Sequence, residues 1–265
     1  MTWKLAPVFV LAFLLAAFAG ASVRAQESDQ ELAKQAANPV ASLISVPIQN
    51  NYECCIGPAD GGRDVLNIQP VIPVPLNPNL TMIVRTILPI ISSDATGPGN
   101  GPHLGVGDIT QSFFFAPPPM AGGIVFAAGP VFVWPIGGAA LGSGKWSAGP
   151  TFVLLKQSGP TTVGILANQV WSDAGDSHHP NVSSMLLQPF FTYTYPDTTS
   201  LSLNTEASYD WIHRQWTVPV NVGVNHIFKF GRQPVQLGAT AKLYATSPDG
   251  PQAGFRFTAT FLFPR

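Results

Sequence analysis

Apolar and polar positions alternate with a period of two along most of this chain, most cleanly in its last run. There Phe255, Phe257, Ala259, Phe261 and Phe263 share one side, and Arg256, Thr258, Thr260 and Leu262 share the other. A strand so divided suits a place between lipid and a polar interior. The ninth run repeats the pattern: Leu201, Leu203, Thr205, Ala207, Tyr209 and Trp211 oppose Ser200, Ser202, Asn204, Glu206, Ser208 and Asp210. In the tenth, Trp216, Val218, Val220, Val222, Val224, Phe228 and Phe230 are expected to face out, and Thr217, Asn221, Asn225 and Lys229 to face in. His226 falls on the outward side beside Phe228, where it reads as a rim residue at the headgroup boundary.

Runs of this kind, each near the roughly 9–11 residues that cross an outer membrane, fall at 40–49, 65–76, 80–92, 105–116, 123–135, 145–157, 161–172, 182–195, 199–211, 215–230, 235–246 and 254–263. The pattern predicts an all-β fold, a transmembrane antiparallel up-and-down β-barrel of about 12 strands over residues 40–265, preceded by a short helix. Tight turns are expected at Asn77-Pro78-Asn79, Ser158-Gly159-Pro160, Pro196-Asp197-Thr198 and Gly231-Arg232-Gln233-Pro234. Longer connections are expected at 50–64, 93–104, 136–144, 173–181 and 247–253, with Ile212-His213-Arg214 as a tight outer exception. Short turns on the periplasmic side and longer loops outside are the asymmetry of this architecture. Trp134, Trp146, Trp171, Trp211 and Trp216 all fall at the outer strand ends and predict an aromatic girdle. Gln111 and Gln169 fall on faces that otherwise read as lipid-facing. A soluble sandwich or lipocalin-like barrel shares the period of two. It is disfavoured because the polar faces are thin and uncharged, and because Val131-Phe132-Val133-Trp134 is apolar on both faces.

The start of the chain reads as an export signal over 1–25: Lys4, an apolar run over 8–19, and Val23-Arg24-Ala25 ahead of Gln26. The apolar run is short of the roughly 20 residues a helical span needs, and no Cys follows it to carry a lipid anchor. Residues 26–39 hold a capping-box pattern at Ser28-Asp29-Gln30-Glu31, helix formers from Glu31 to Ala37, and a stop at Asn38-Pro39. This helix is expected either in the periplasm or folded into the barrel mouth as a plug, and a loose polar leader is the plain alternative.

Only 10% of residues are charged, against about a quarter in a typical soluble domain. Of the 13 Lys and Arg, Lys4 and Arg24 leave with the signal, so 11 face 14 Asp and Glu in the mature chain. No basic cluster marks a nucleic-acid surface.

Lumen-lining residues are expected to be Arg85, Asp108, Asn204, Glu206, Asp210, Asn221, Asn225, Lys242, Tyr244 and Arg256. Two readings of them stand: selectivity, or pairing of Arg85, Lys242 and Arg256 with Asp108, Glu206 and Asp210 inside the barrel. Twelve strands lie between barrels filled by side chains and open porins, so a narrow path is expected. Vicinal Cys54-Cys55 in the first outer loop reads as a local feature, the alternatives being a strained disulfide or an intermolecular one. Catalysis would need Ser, His and a polar orienting group together. His178, His179, Ser183, Ser184 and His213 are the nearest approach, without a Gly-x-Ser-x-Gly elbow. Gly142-Ser143-Gly144-Lys145-Trp146 lacks the Ser/Thr of a phosphate loop. No catalytic residue, metal site or cofactor is expected.

The stretches Asn38-Pro39-Val40-Ala41-Ser42-Leu43-Ile44-Ser45, Leu66-Asn67-Ile68-Gln69-Pro70-Val71-Ile72-Pro73, Arg85-Thr86-Ile87-Leu88-Pro89, Gly107-Asp108-Ile109-Thr110-Gln111-Ser112-Phe113-Phe114, Leu141-Gly142-Ser143-Gly144-Lys145-Trp146, Asn204-Thr205-Glu206 and Gln215-Trp216-Thr217-Val218-Pro219 resemble the bacterial family called "MetA-pathway of phenol degradation". Its members are often labelled transporter or, misleadingly, neuromedin U. The resemblance covers nearly the whole mature chain and implies an outer-membrane channel passing small hydrophobic or aromatic solutes. Cys54-Cys55 departs from what the family leads one to expect. The partners expected are outer-membrane lipid, such solutes, and the barrel-assembly machinery of a Gram-negative cell, reached through the C-terminal strand.

Overall fold

The computed structural model describes residues 29–58, 60–93, 103–138 and 141–264; the expected export signal lies outside them. The helix is α1 (Asp29–Ala36), and the strands are β1 (Ile44–Ile56), β2 (Gly61–Ile68), β3 (Val71–Asn77), β4 (Leu80–Ser93), β5 (His103–Val106), β6 (Ile109–Ala116), β7 (Ile124–Trp134), β8 (Lys145–Ser158), β9 (Thr161–Gly175), β10 (Ser183–Thr194), β11 (Ser200–Thr205), β12 (Ala207–Asp210), β13 (Gln215–Phe230), β14 (Gln233–Thr246) and β15 (Ala253–Phe263).

Three crossings are interrupted once each, at Gln69-Pro70, Gly107-Asp108 and Glu206, so the fifteen segments make a closed antiparallel barrel of 12 crossings. Each expected run corresponds to one crossing. Closure is by β1 against β15, from Ile44 opposite Phe263 to Cys54 opposite Ala253. Closing the sheet leaves no unpaired edge, which a hydrocarbon environment demands.

The expected tight turns lie at one end. Gly159 and Gly231 adopt φ of 56° and 63° there, and Asn79 N donates to Asn77 Oδ1 at 2.8 Å. The first outer connection differs from expectation. Instead of a loop over 50–64, β1 and β2 continue their pairing to Ile56 and Gly61, past a bulge after Glu53. Gln49, Asn51 and Glu53 keep the inward parity, so the strand rises beyond the point where its apolar face ends.

The outward face is an apolar belt that includes Phe126, Phe152, Leu154, Val222, Val224, Phe255 and Phe257. With the barrel's closure and length of crossing, it marks an outer-membrane protein. Trp134 and Trp146 pack edge to face at 5.3 Å between ring centres, and Tyr209 joins Trp211 and Trp216 at 4.7 and 4.9 Å. Both doubtful glutamines face out and are satisfied: Gln111 Nε2 donates to Thr86 Oγ1 at 3.2 Å, and Trp211 Nε1 donates to Gln169 Oε1 at 2.8 Å. His226 lies against Phe228, 4.8 Å between ring centres, with its Nδ1 2.9 Å from Thr199 Oγ1.

Inside, the end with the tight turns is packed like a core. Ile83, Phe114, Val125, Ala127, Val153, Leu155 and Leu166 form one cluster with Val40. Leu32 and Ala33 of α1 form another with Ala41, Leu43, Ile227 and Leu262. The helix therefore lies within the barrel mouth. Lys229 Nζ meets Asp29 Oδ1 at 2.7 Å, and Gln157 Nε2 donates to Lys34 O at 3.0 Å, tying α1 to two separate turns.

Candidate functional site

Toward the outer end the interior turns polar, and its charges are arranged by the rows of the sheet. Directly opposed residues on neighbouring strands point the same way, so one row runs Asn204, Asn221, Lys242, Gly254, Glu53, Arg63 across six strands. Gly254 has no side chain to block the row. A Cβ there would sit 2.4 Å from the Tyr52 carbonyl oxygen and 3.4 Å from Glu53 Cγ. Lys242 Nζ passes over it to Glu53 Oε1 at 2.7 Å; Arg63 donates from Nε at 3.1 Å and Nη2 at 2.5 Å to Glu53 Oε2, and Tyr244 Oη donates to Oε1 at 2.5 Å. Asn221 Nδ2 donates to Asn204 Oδ1 at 2.8 Å.

One row nearer the turns, Arg256 donates from Nη1 and Nη2 to Glu206 at 2.9 and 2.7 Å, and from Nε to Asn51 Oδ1 at 2.5 Å. Glu206 is the residue at which the ninth crossing breaks into β11 and β12. Arg85 donates from Nη2 to Gln69 Oε1 at 3.1 Å, and Gln69 Nε2 donates to Gln49 Oε1 at 2.9 Å. Each buried ion pair here carries further hydrogen bonds, as desolvated charges require.

Below this network a cavity of about 540 Å³ is floored by Gln35 to Pro39. One wall is polar, with Gln49, Gln69, Asn204, Glu206, Asn225, Thr240 and Arg256. The other is mainly apolar, with Ile87, Val131, Val133, Leu166, Val170, Leu186 and Phe190.

Of the expected lumen set, Arg85, Asn204, Glu206, Asn225 and Arg256 line this cavity. Asn221 and Lys242 belong to the row above it, and Tyr244, opposite Pro219, joins that row through Glu53. Asp108 and Asp210 lie apart, at the outer mouth. Asp108 holds a loop: its carboxylate accepts from Gly137 N at 3.0 Å and from Ser143 N and Oγ, both at 2.6 Å. Gly137 and Gly142 permit this wrap, because a Cβ on either would lie within 2.9 Å of Asp108 Oδ1. Asp210 pairs with His213 Nδ1 at 2.7 Å. Arg256 pairs with Glu206, and Lys242 pairs with Glu53. Glu53, Arg63, Asn51 and Gln69 are missed by the sequence reading because they fall where it places a loop or leave the strand rhythm at a proline.

His179, Ser183, Ser184, Asp210 and His213 do surround a second, smaller recess at the outer mouth. Among the described residues no serine hydroxyl hydrogen-bonds to either imidazole, and the aspartate–histidine contact is a local one, three residues apart and solvent-exposed. In the loop beside it, Asp176 accepts hydrogen bonds from the backbone N–H and the side chain of His178, which hold its carboxyl below the usual aspartate range. Cys54 and Cys55 are free thiols in the β1 bulge, with sulfurs 2.8 Å apart and Cys55 at φ 61°. They sit at the end of a strand, where a loop was expected. Among the described residues no cluster of three or more His, Cys, Asp or Glu offers a metal site.

No family model matches the chain, and no curated protein does. Among solved structures, an outer membrane channel from Pseudomonas putida F1 matches with a TM-score of 0.65 and 18% identity, over 83% of this chain and 94% of that one. The shared fold is that of an outer-membrane β-barrel. The outer membrane phospholipase of Salmonella typhi, at 0.47 and 11% identity over 91% and 99%, and a FadL homologue of Pseudomonas aeruginosa, at 0.40 and 8% over 86% and 92%, match more loosely. At those scores nothing about activity follows. The likeness to the phenol-degradation family rests on the quoted sequence stretches alone.

Proposed function

We propose that this chain is an outer-membrane channel that passes small hydrophobic or aromatic solutes through a narrow path. The observation that carries the reading is the two-walled cavity between α1 and the Arg256–Glu206 pair. Its volume falls in the range of about 300–1,000 Å³ that small-molecule sites occupy. An apolar wall can hold a hydrocarbon body while the polar wall keeps a water-bound group solvated. In this reading residues 1–25 are removed on export, α1 is a plug at the periplasmic mouth, and residues 40–265 form the barrel that assembly machinery recognises through β15. The barrel's contents leave a bore too narrow for general porin traffic. The aspartate–histidine contacts at the rim are loop fixtures, and no reaction is assigned to them.

The test is uptake by vesicles containing the refolded mature protein, comparing aromatic solutes with sugar-sized polar ones, with heat-modifiable gel mobility as the folding control. Faster permeation of the aromatic set is expected. Permeation of neither set, from protein shown to be folded, would overturn the reading.

A further inference from the structure

Arg85 is the one arginine facing the cavity that meets no carboxylate among the described residues: its only hydrogen bond is to a neutral amide oxygen, that of Gln69. The Glu206 charge reaches Arg85, but both Glu206 oxygens are already engaged by Arg256. Glu53, similarly, is shared by Lys242, Arg63 and Tyr244. Among the described residues of this network, Glu53 and Glu206 face Arg63, Lys242, Arg256 and Arg85, and the cation next to the cavity without a carboxylate partner is Arg85. A half-buried guanidinium that lines the cavity and gives one hydrogen bond to protein has donors to offer an anion that enters.

Its surroundings narrow the choice of anion. Arg85 shares one row with Ser45, Val71, Ser112 and Val131. It thus stands at the seam between the polar wall and the apolar one. A single positive charge flanked by hydroxyl and amide groups matches one negative charge, and a guanidinium matches a planar carboxylate through two parallel hydrogen bonds. Ile87 and Val131 offer a hydrocarbon surface beside it.

From this we infer that Arg85 is a binding site for the carboxylate of small apolar monocarboxylic acids, which the cavity takes in preference to neutral or cationic molecules of the same shape. The inference rests on the channel reading for its physiological use, and it names the class of solute that path prefers.

Benzoate, benzyl alcohol and benzylammonium are matched in size and differ in charge. Calorimetric binding to the refolded, detergent-solubilised mature chain is expected to favour benzoate by about tenfold or more, the worth of a charge-assisted contact. Arg85→Gln, which keeps a donor for Gln69, is expected to reduce benzoate binding to the benzyl alcohol level. Arg85→Lys is expected to keep the order of preference at lower affinity, and it serves as the test should the glutamine variant fail to show folded gel mobility. Benzoate bound no better than benzyl alcohol, or a preference that survives in folded Arg85→Gln, overturns the inference. A vesicle assay with the same three probes separates the two proposals. Arg85-dependent benzoate binding without permeation of any probe supports the site and removes the channel; permeation indifferent to charge, with no benzoate preference in binding, does the reverse.

Discussion

Lys242 on β14 reaches Glu53 on β1 across the whole width of β15, Nζ to Oε1 at 2.7 Å, through the gap at Gly254. Both side chains are nearly inaccessible, at 5% and 7%. The contact therefore bridges the seam where the first and last strands close the barrel.

Glu53→Ala should be the most damaging single change in this network. It leaves Lys242 buried without its counter-charge, at a cost of about 3–5 kcal/mol. Lys242→Met should cost less, about 1–3 kcal/mol, because Arg63 and Tyr244 still hold the carboxylate. Urea unfolding of the detergent-solubilised barrel, followed by gel mobility, orders the two variants; equal losses would contradict the assignment.

Gly254→Ala places a methyl group against the Tyr52 carbonyl oxygen and the Glu53 side chain. A loss of about 1–3 kcal/mol is expected, the usual range for forced overpacking. A stability unchanged from wild type would show that the row has room to spare.

Leu32→Asp puts a charge into the cluster formed by Leu43, Ile227 and Leu262 and should expel α1 from the mouth. Planar-bilayer recordings should then show a larger unitary conductance, with folded gel mobility retained. An unchanged conductance would mean that the helix does not obstruct the path.

Glu206 and Arg256 should act in opposite senses. Glu206→Gln leaves the Arg256 cation unbalanced and shifts the reversal potential in a salt gradient toward anion preference, while Arg256→Gln shifts it toward cations. Asp210→Ala, whose partner His213 is exposed, should move neither; a shift there as large as that of Glu206→Gln would place the selectivity at the rim.

At the β10–β11 turn, Thr199 donates from its backbone N and its Oγ1 to Asp197, which holds that carboxyl below the ordinary aspartate range. A depressed folded-state pKa gives stability that is present above the unfolded value, about 3.9, and is lost as pH falls through the folded one. Protection of the Thr199 amide against hydrogen exchange, corrected for intrinsic rate, should therefore decline below that range in wild type. In Asp197→Ala it should be low and flat with pH.

The twelve crossings are legible in sequence because lipid forces a strict inside–outside alternation, which β13 and β15 carry along their length and which β11 and β12 keep in phase across the interruption at Glu206. Where alternation stops reporting burial, legibility stops too. The upper part of β1 leaves the apolar belt, so Tyr52 and Cys54 no longer look lipid-facing, and Glu53 was hidden in an expected loop. The partners of Arg256 and Lys242 lie 50 and 189 residues away. Parity supplies their shared face, but only the register of six strands supplies the pairing. The position of α1 was open for the same reason: an amphipathic turn or two fits a mouth or a solvent-exposed leader equally, and its contacts with Ile227 and Leu262 are remote in sequence.

The cavity has an ionic ceiling, a helical floor and a wall of branched side chains, so its bore is decided by furnishings rather than by strand number. Trimming Leu166, Leu186 or Phe190, or repositioning one charge, would resize or retune it while every hydrogen bond of the sheet stayed in place. A barrel built this way can change what its interior accommodates over generations without renegotiating its fit to the membrane.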